Sequence, residues 1–197
     1  MCKNITVLQR LFDFIHFHLT LNQKDEKLTW IHKCATLPHA ISARNHGADF
    51  IVIVGLEGTG FKNPTQNTTL INITVAKKML STHLIAAGGI ADARGFLAAL
   101  AAGASAVCFG TLFMATTECP MSERYKRENV AGITGFDDPE FYRSIFHLEL
   151  KDRGNPSMAV GLINDIVPMK ERIERIIINA ENILRDWGFK DDIITIS

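Results

Sequence analysis

Two pairs of small residues stand where two predicted strands end, and they are the residues best suited to chemistry. Gly88-Gly89 follows one apolar run, and Gly110-Thr111 follows the next. Backbone N–H groups are exposed where side chains are small, and the positive end of a following helix favours an anion. The pattern therefore predicts a phosphate site on two neighbouring βα units, with a hydroxyl donor from Thr111. The residues alone leave open a flavin nucleotide, a sugar phosphate, another nucleotide, or tight turns without a ligand.

A second glycine-rich segment, residues 55–68, follows the apolar run 50–55. It is not a P-loop, because no Gly-Lys-Ser/Thr follows its glycines. It does not fit the dinucleotide-binding fingerprint either. Its length exceeds that of a plain βα turn, and long loops in compact domains are often functional. Two interpretations remain, a loop that lines the edge of a cofactor and a flexible surface loop.

His32 is the candidate acid–base residue. It lies in the predicted strand 28–35, where alternation of side chains would place it on one face with Trp30 and Cys34. Near the C-terminal end of a barrel strand, a histidine can bind substrate or act as a base. A hydrogen-bonded core histidine is the equal alternative. Cys108 has no neighbour that would activate its thiol, so we expect it to pack as a small apolar residue.

The elements that position these residues alternate between helix and strand. Apolar periodicity and capping residues predict helices at 5–21, 37–46, 69–80 and 93–102 and strands at 28–35, 50–55, 84–87 and 104–109. This alternation predicts an α/β fold with a parallel sheet and right-handed crossovers. A closed (β/α)₈ barrel typically takes about 250 residues. The prediction is a TIM-type β/α barrel, apparently incomplete, with about four C-terminal βα units and a C-terminal helical extension.

The pattern changes after Thr111. Residues 112–117 predict a short helix, and residues 120–157 are polar and irregular. A final amphipathic helix is predicted over 169–187, and we expect it to pack across the outside or mouth of the barrel. The predicted organisation is a partial barrel with the phosphate site over residues 1–117, and an extension of the same domain over 118–197.

Composition excludes several classes of protein. The 197 residues are 47% hydrophobic and 21% charged, as in ordinary globular domains. Twenty-one basic and 21 acidic residues give no net charge, so no nucleic-acid partner is expected. Four widely separated cysteines predict free thiols in a reducing compartment and no metal site. The absence of a long apolar run or a signal-peptide pattern predicts a cytoplasmic protein without membrane contact.

Three stretches, 47–57, 85–95 and 109–119, resemble the nitronate monooxygenase family, also called the 2-nitropropane dioxygenase family. The resemblance runs from about Trp30 to the final helix and implies an FMN-dependent (β/α)₈ barrel. It implies that the FMN phosphate is held by Gly88, Gly89, Gly110 and Thr111, with Cys108 and Phe109 beside it. It also implies that the flavin or its ribityl chain is approached by Gly55, Glu57, Thr59 and Gly60.

The sequence departs from the family pattern in two ways. Many members carry a histidine after the glycine loop as the base that deprotonates a nitroalkane, whereas this chain has Phe61. Phenylalanine cannot accept a proton, which leaves His32 as the substitute candidate. The N-terminal half of the family barrel has no counterpart in the chain. Either the reading frame is truncated, or a complementing N-terminal half supplies the first four strands. An open half barrel would leave two unpaired sheet edges, so we expect the isolated chain to aggregate, to form a homo-oligomer through these edges, or to bind flavin poorly.

The predicted function is FMN-dependent oxidation of a small-molecule substrate, an alkyl nitronate, with molecular oxygen. Nitronates already carry the negative charge, so this reaction does not need the missing base. One alternative is a flavin-dependent enoyl-acyl carrier protein reductase that uses reduced nicotinamide. The other is a non-catalytic half barrel that binds a phosphate or a partner.

Overall fold

The computed structural model describes residues 29–58, 67–129 and 157–189. The chain divides into two compact units, Met1–Trp30 and Ile31–Ser197, and all described helices and strands lie in the second. In chain order they are β1 (Ile31–Cys34), α1 (Leu37–Asn45), β2 (Phe50–Val54), α2 (Thr69–Met79), β3 (His83–Ala87), α3 (Ala93–Ala101), β4 (Ala106–Cys108), α4 (Thr111–Met114), α5 (Glu123–Asn129), a 3₁₀ helix (Met158–Leu162) and α6 (Met169–Asp186). The helix predicted at 5–21 lies outside the described residues.

The four described strands form one parallel sheet in the order β1-β2-β3-β4. The register pairs Lys33 with Val52, Val52 with Ile85, and Ile85 with Ala106. Each strand is connected to the next through a helix, which confirms the predicted βα alternation. Because the strands are parallel, the residues that follow them meet at one edge of the sheet.

The two faces of the sheet have different surroundings. Ile51, Ile53 and Leu84 have no solvent exposure, and α1, α2 and α3 contact the strands. Side chains one position along each strand point to the other face. That second face carries a small apolar cluster of Val52, Val54 and Ala87, with Ile85 and Cys108 beside it. Helices α1, α2 and α3 therefore cover the first face, and the second face carries this smaller cluster.

Polar side chains fix the starts of the first three helices. Thr36 and Thr68 precede α1 and α2, and each hydroxyl accepts a backbone N–H three residues later at 3.4 Å. Asp92 caps α3 through a 2.7 Å hydrogen bond from the Gly95 N–H. These caps supply acceptors for helix N–H groups that have no partner inside the helix. The predicted helices at 37–46, 69–80 and 93–102 agree with the structure to within one residue.

The prediction for residues after β4 was partly wrong. Helix α4 ends at Met114 rather than at residue 117, and α5 lies inside the segment predicted to be irregular. Helix α5 is polar and has no apolar stripe, so its sequence lacks the usual helical signal. It is stabilised instead by Lys126, whose buried ammonium donates to the Thr116 carbonyl at 2.7 Å.

Helix α6 packs on α3 and not in the sheet, as predicted. Ala180 is fully buried against Ala93 and Leu97. The start of α6 is held by Arg172, which forms an ion pair with Asp165 at 2.6 Å. None of the helices in the described residues is long and apolar enough to cross a membrane. The domain boundary between residues 117 and 118 stays a prediction.

Candidate functional site

A cleft lies at the C-terminal ends of the strands, on the face opposite α1, α2 and α3. Its space is about 420 Å³, a volume that includes the solvent of the open mouth. The two predicted residue pairs, Gly88-Gly89 and Gly110-Thr111, both line it. The other lining residues are Lys33, Val54, Gly58, Ala87, Ile90, Cys108, Ser157 and Ala159. The fold therefore brings the two pairs into one cavity.

Gly88 and Gly89 adopt backbone conformations that only glycine adopts readily, with φ of 96° and 74°. A Cβ atom on Gly88 would lie 2.9 Å from the backbone nitrogen of Gly58. A Cβ atom on Gly89 would lie 2.7 Å from the Cβ of Glu57. Both separations are too short for carbon in van der Waals contact. Glycine is therefore required at both positions, and the end of β3 presents backbone to the cleft.

The two helix starts beside the cleft differ in their hydrogen bonding. The start of α3 already has an anionic acceptor, because Asp92 caps it. The start of α4 has no side-chain cap, and its N-cap residue is Gly110. Gly110 is exposed, and a Cβ atom there would meet nothing within 4 Å. The N–H groups at the start of α4 therefore lack the side-chain acceptor that those at the start of α3 have.

Gly55 and Glu57 lie behind the cleft lining. Both carboxylate oxygens of Glu57 accept the Thr69 backbone N–H, at 3.1 and 2.9 Å, and the Thr69 hydroxyl lies 3.1 Å from one of them. A Cβ atom on Gly55 would lie 2.2 Å from the Thr69 nitrogen, so this approach requires glycine. The pair thus ties the loop after β2 to the start of α2. Contact of either residue with a flavin stays a prediction, and Thr59 and Gly60 lie outside the described residues.

Cys108 and Phe109 occupy different surroundings at the end of β4. Cys108 is half-buried and lines the cleft beside the Val54 cluster. The Phe109 ring lies 5.5 Å from the Phe113 ring, centroid to centroid, and packs on the apolar cluster around Leu112. Phe109 thereby supports α4 from behind the cleft. Cofactor contact by these two residues stays a prediction.

Strand β1 presents Lys33 to the cleft, and not His32. Lys33 is a lining residue, and its register partner Val52 belongs to the cleft-facing cluster. Alternation of side chains places His32 on the opposite face, where its register partner Ile51 is fully buried. His32 is therefore not among the residues that line the cleft, and its catalytic role stays a prediction.

Sequence patterns did not single out Ser157, which forms one side of the cleft. Its side chain is buried, and its hydroxyl donates to the Glu57 carbonyl at 2.9 Å and accepts the Ala159 N–H at 3.1 Å. These contacts join the loop after β2 to the 3₁₀ helix that follows Ser157. Because the two segments are 100 residues apart, no local signal identifies the contact.

Lys33 is the only charged side chain in the described lining of the cleft. Two ionisable groups outside the cleft have shifted pKa values. Burial raises the pKa of Asp165, but hydrogen bonds from Arg175 and Arg172 outweigh it and keep this pKa below its usual value. Burial raises the pKa of the Cys34 thiol to about 11, so this group is protonated at neutral pH. The described residues contain no cluster of three or more His, Cys, Asp or Glu side chains that would hold a metal.

Comparison with known proteins identifies the family. The family model "Nitronate monooxygenase" matches residues 7–145, well over half of the chain. The chain belongs to the nitronate monooxygenase family. The resemblance carried by the glycine motifs is thereby confirmed, and the family is one of oxidoreductase enzymes.

Relatives of the chain include two curated enzymes and one solved structure. A (3aS,4S,5R,7aS)-5-hydroxy-7a-methyl-1-oxo-octahydro-1H-indene-4-carboxyl-CoA dehydrogenase of Rhodococcus jostii is 35% identical over 107 residues, which cover 54% of this chain and 29% of that protein. A nitronate monooxygenase of Pseudomonas aeruginosa is 36% identical over 101 residues, covering 47% and 29%. FabK of Thermotoga maritima, solved as a mutant, superposes with a TM-score of 0.70 at 26% identity, covering 85% of this chain and 64% of FabK.

The chain thus spans less than a third of the length of these two curated relatives. The likeness to FabK confirms the predicted TIM-type barrel architecture. The described sheet supplies four parallel strands of that architecture, together with the cleft at their C-terminal ends.

Proposed function

We propose that the chain forms the phosphate-binding side of an FMN-dependent oxidoreductase that oxidises alkyl nitronates with molecular oxygen. The observation that carries the proposal is the corner made by Gly88, Gly89 and Gly110. There, backbone without side chains faces a cleft next to a helix start that has no cap. A phosphate monoester supplies the anionic acceptor that such a corner lacks.

The described residues fit the terminal phosphate of FMN. Gly110 leaves open space on its cleft side, and the Thr111 hydroxyl and the backbone N–H groups at the start of α4 would donate to the phosphate. Gly88 and Gly89 would allow the ligand to approach the backbone at the end of β3. When bound, the flavin would supply the redox chemistry, while the protein binds and orients it. The apolar lining at Val54 and Ala87 would exclude water from the ligand.

The nitronate is favoured over the neutral nitroalkane as substrate. A nitroalkane must lose a proton before it is oxidised, whereas a nitronate has already lost it. The described lining of the cleft contains no histidine and no carboxylate. Phe61 occupies the position of the family base in the sequence and lies outside the described residues. The described cleft therefore suits a substrate that arrives as an anion.

A second candidate is a flavin-dependent reductase or dehydrogenase acting on a thioester. Two observations favour it: the superposition on FabK covers 85% of the chain, and one curated relative is a dehydrogenase of a carboxyl-CoA substrate. The same glycine corner would then hold the cofactor. The two candidates differ in electron acceptor and donor, which makes them separable by assay.

We also propose that the cleft is completed by further strands, from a complementing N-terminal half or from a second copy of the chain. In the described residues, β1 and β4 each pair with one strand only, so each has a free edge. Free edges of a parallel sheet tend to associate. Light scattering with the purified chain, alone and with a co-expressed N-terminal half of a relative, distinguishes a homo-oligomer from a complemented barrel.

The proposed function is tested by reconstitution and turnover. The purified chain is incubated with FMN, freed of excess cofactor, and examined for flavin absorbance. Oxygen uptake is then measured with ethylnitronate and, separately, NADH oxidation with crotonyl-CoA, using the flavin-free chain as the control. Flavin retention with ethylnitronate-dependent oxygen uptake supports the proposal. NADH oxidation with crotonyl-CoA alone favours the second candidate. A chain that retains no flavin, both alone and with the co-expressed N-terminal half, refutes both.

A further inference from the structure

Helix α2 carries apolar side chains on two opposite faces. One face contacts β2 and β3, and there Ile73 and Ala76 have no solvent exposure. The opposite face carries four large apolar side chains that are 36 to 55% exposed, here named the α2 stripe: Leu70, Ile71, Val75 and Met79. A helix that is apolar on all sides is normally buried on all sides. The packing of the described residues therefore gives no reason for the α2 stripe.

The spacing of the α2 stripe suits the packing of a second helix. Its members at positions 71, 75 and 79 follow one another at intervals of four residues, so they form one ridge along the helix. A second ridge, made by Leu70, Thr74 and Lys78, runs beside the first. A groove between two such ridges accepts the side-chain ridge of another helix, which is the commonest way in which two helices pack.

The helices around the α2 stripe contain no carboxylate. Helices α1, α2 and α3 lie side by side, and their Lys and Arg residues are Arg44, Lys77, Lys78 and Arg94. Lys77 and Lys78 stand in the last turn of α2, and neither forms an ion pair in the part of the chain that the structure describes. The whole chain has no net charge, so this excess of positive charge is local to the helical layer. Such a surface attracts a partner that carries carboxylates.

We propose that the α2 stripe is a docking surface for an amphipathic helix of another protein, in which carboxylates flank the apolar side chains. The apolar side chains of the partner would lie in the groove, and its carboxylates would lie against Lys77 and Lys78. Pairing of α2 with α2 of a second copy would bring together lysines from both copies and no carboxylate. An anionic lipid surface would attract the lysines but would make no use of the ridges. The surface is separate from the cleft, so this inference does not depend on the proposed function.

The test uses a synthetic peptide as the probe, with leucine on one helical face and glutamate on the other. The peptide has about 20 residues, enough for a helix to form in isolation, and a side-chain cross-link stabilises it. Two matched peptides replace either every glutamate by lysine or every leucine by serine. Each peptide carries fluorescein, and its binding to the purified full-length chain is followed by fluorescence anisotropy.

Substitutions on α2 are matched by substitutions on α6. Ile71→Ser and Val75→Ser remove apolar surface, and serine has a helix propensity close to that of the residues it replaces. Ile178→Ser is the apolar control, because Ile178 of α6 has the same exposed fraction as Ile71, 55%. Lys78→Glu reverses a charge beside the α2 stripe, and Lys170→Glu is its control on α6. Urea unfolding and light scattering are recorded for every variant.

We expect the leucine–glutamate peptide to bind at least tenfold more tightly than either matched peptide. The double variant Ile71→Ser/Val75→Ser should weaken this binding at least tenfold, because two apolar side chains would no longer be buried by the partner. Lys78→Glu should weaken the binding of the glutamate peptide and strengthen that of the lysine peptide. Ile178→Ser and Lys170→Glu should match the wild-type chain, and none of the α2 variants should unfold at lower urea.

Several results would overturn the inference. Equal binding of the three peptides, or equal binding by the wild-type chain and the double variant, would show that the α2 stripe does not select such a helix. A wild-type dimer that becomes a monomer in the double variant would show that a second copy occupies the stripe. Lower stability of the double variant would show that the stripe is covered within the chain. Binding to phosphatidylglycerol vesicles through the stripe, without binding of the peptide, would assign the surface to lipid.

Discussion

Replacement of Gly110 by alanine separates ligand binding from folding. The added methyl group would meet no protein atom within 4 Å, and the backbone, with φ of −102° and ψ of −77°, lies at the margin of the right-handed region and not in the positive-φ region that favours glycine. The protein alone thus gives no reason for glycine at this position. The predicted reason is the ligand, because the methyl group would stand where a phosphate approaches the start of α4.

Gly110→Ala should leave the stability of the chain unchanged or raise it, and it should weaken the binding of FMN. Alanine restricts the unfolded chain, so the free energy of unfolding should stay unchanged or rise by about 0.4 to 1 kcal/mol. Displacement of the phosphate would cost at least one charge-assisted hydrogen bond, about 1.5 to 3 kcal/mol. That loss corresponds to an increase of about 10- to 150-fold in the FMN dissociation constant.

The assay pairs urea unfolding of the flavin-free chain with titration of FMN followed by quenching of flavin fluorescence. The control is Gly47→Ala, a glycine outside the cleft whose Cβ position is also free of contacts but whose φ is 97°. It should lose stability and keep its FMN affinity. An unchanged FMN dissociation constant in Gly110→Ala would refute the placement of the phosphate beside α4.

Three further predictions concern stability, each read from urea unfolding. Gly88→Ala should be less stable than Gly47→Ala by about 1 to 3 kcal/mol, because both share a positive φ but only Gly88 has backbone of Gly58 within 3 Å; equal losses would contradict the contact. Above pH 9 the Cys34 thiol of the unfolded chain loses its proton, whereas the thiol of the folded chain keeps its proton up to about pH 11. The free energy of unfolding should therefore fall, by at most about 1.4 kcal/mol per pH unit. Cys34→Ala should remove this part of the pH dependence, and an identical profile would show that Cys34 does not cause it. Arg172→Met should cost about 1 to 3 kcal/mol, less than a fully buried pair, because Asp165 is partly exposed and keeps Arg175; wild-type stability would show that the pair contributes nothing.

Local signals were sufficient for the strands, the first helices and the glycine corner. The run Phe50–Val54 is apolar throughout and β-branched from Ile51 on, as is typical of a strand buried on both faces. Thr36 and Asp92 indicate helix starts because their side chains accept hydrogen bonds from backbone N–H groups three residues later. These features depend on contacts within about four residues, so the sequence pattern contains them.

Features that depend on distant contacts were not predictable in the same way. The assignment of His32 to the cleft required knowing which face of β1 the helices cover, and a four-residue strand without apolar alternation does not reveal it. Helix α5 depends on one buried lysine, and the place of Ser157 depends on a hydrogen bond across 100 residues. In each case tertiary packing decided the structure, and local residue propensities did not indicate it.

Lys33, and not His32, lines the described cleft, and this changes the chemistry that the cleft supports. A histidine beside the phosphate corner would have provided a base and so admitted neutral substrates that must lose a proton. Lys33, whose ammonium has no hydrogen bond or ion pair within the described residues, provides a positive charge, which attracts anions. The absence of a carboxylate from the described lining adds to this preference, since no negative group there would oppose the anion. Alternate residues of β1 face opposite sides of the sheet, so a difference of one position decides which ionisation state of a substrate the described cleft favours.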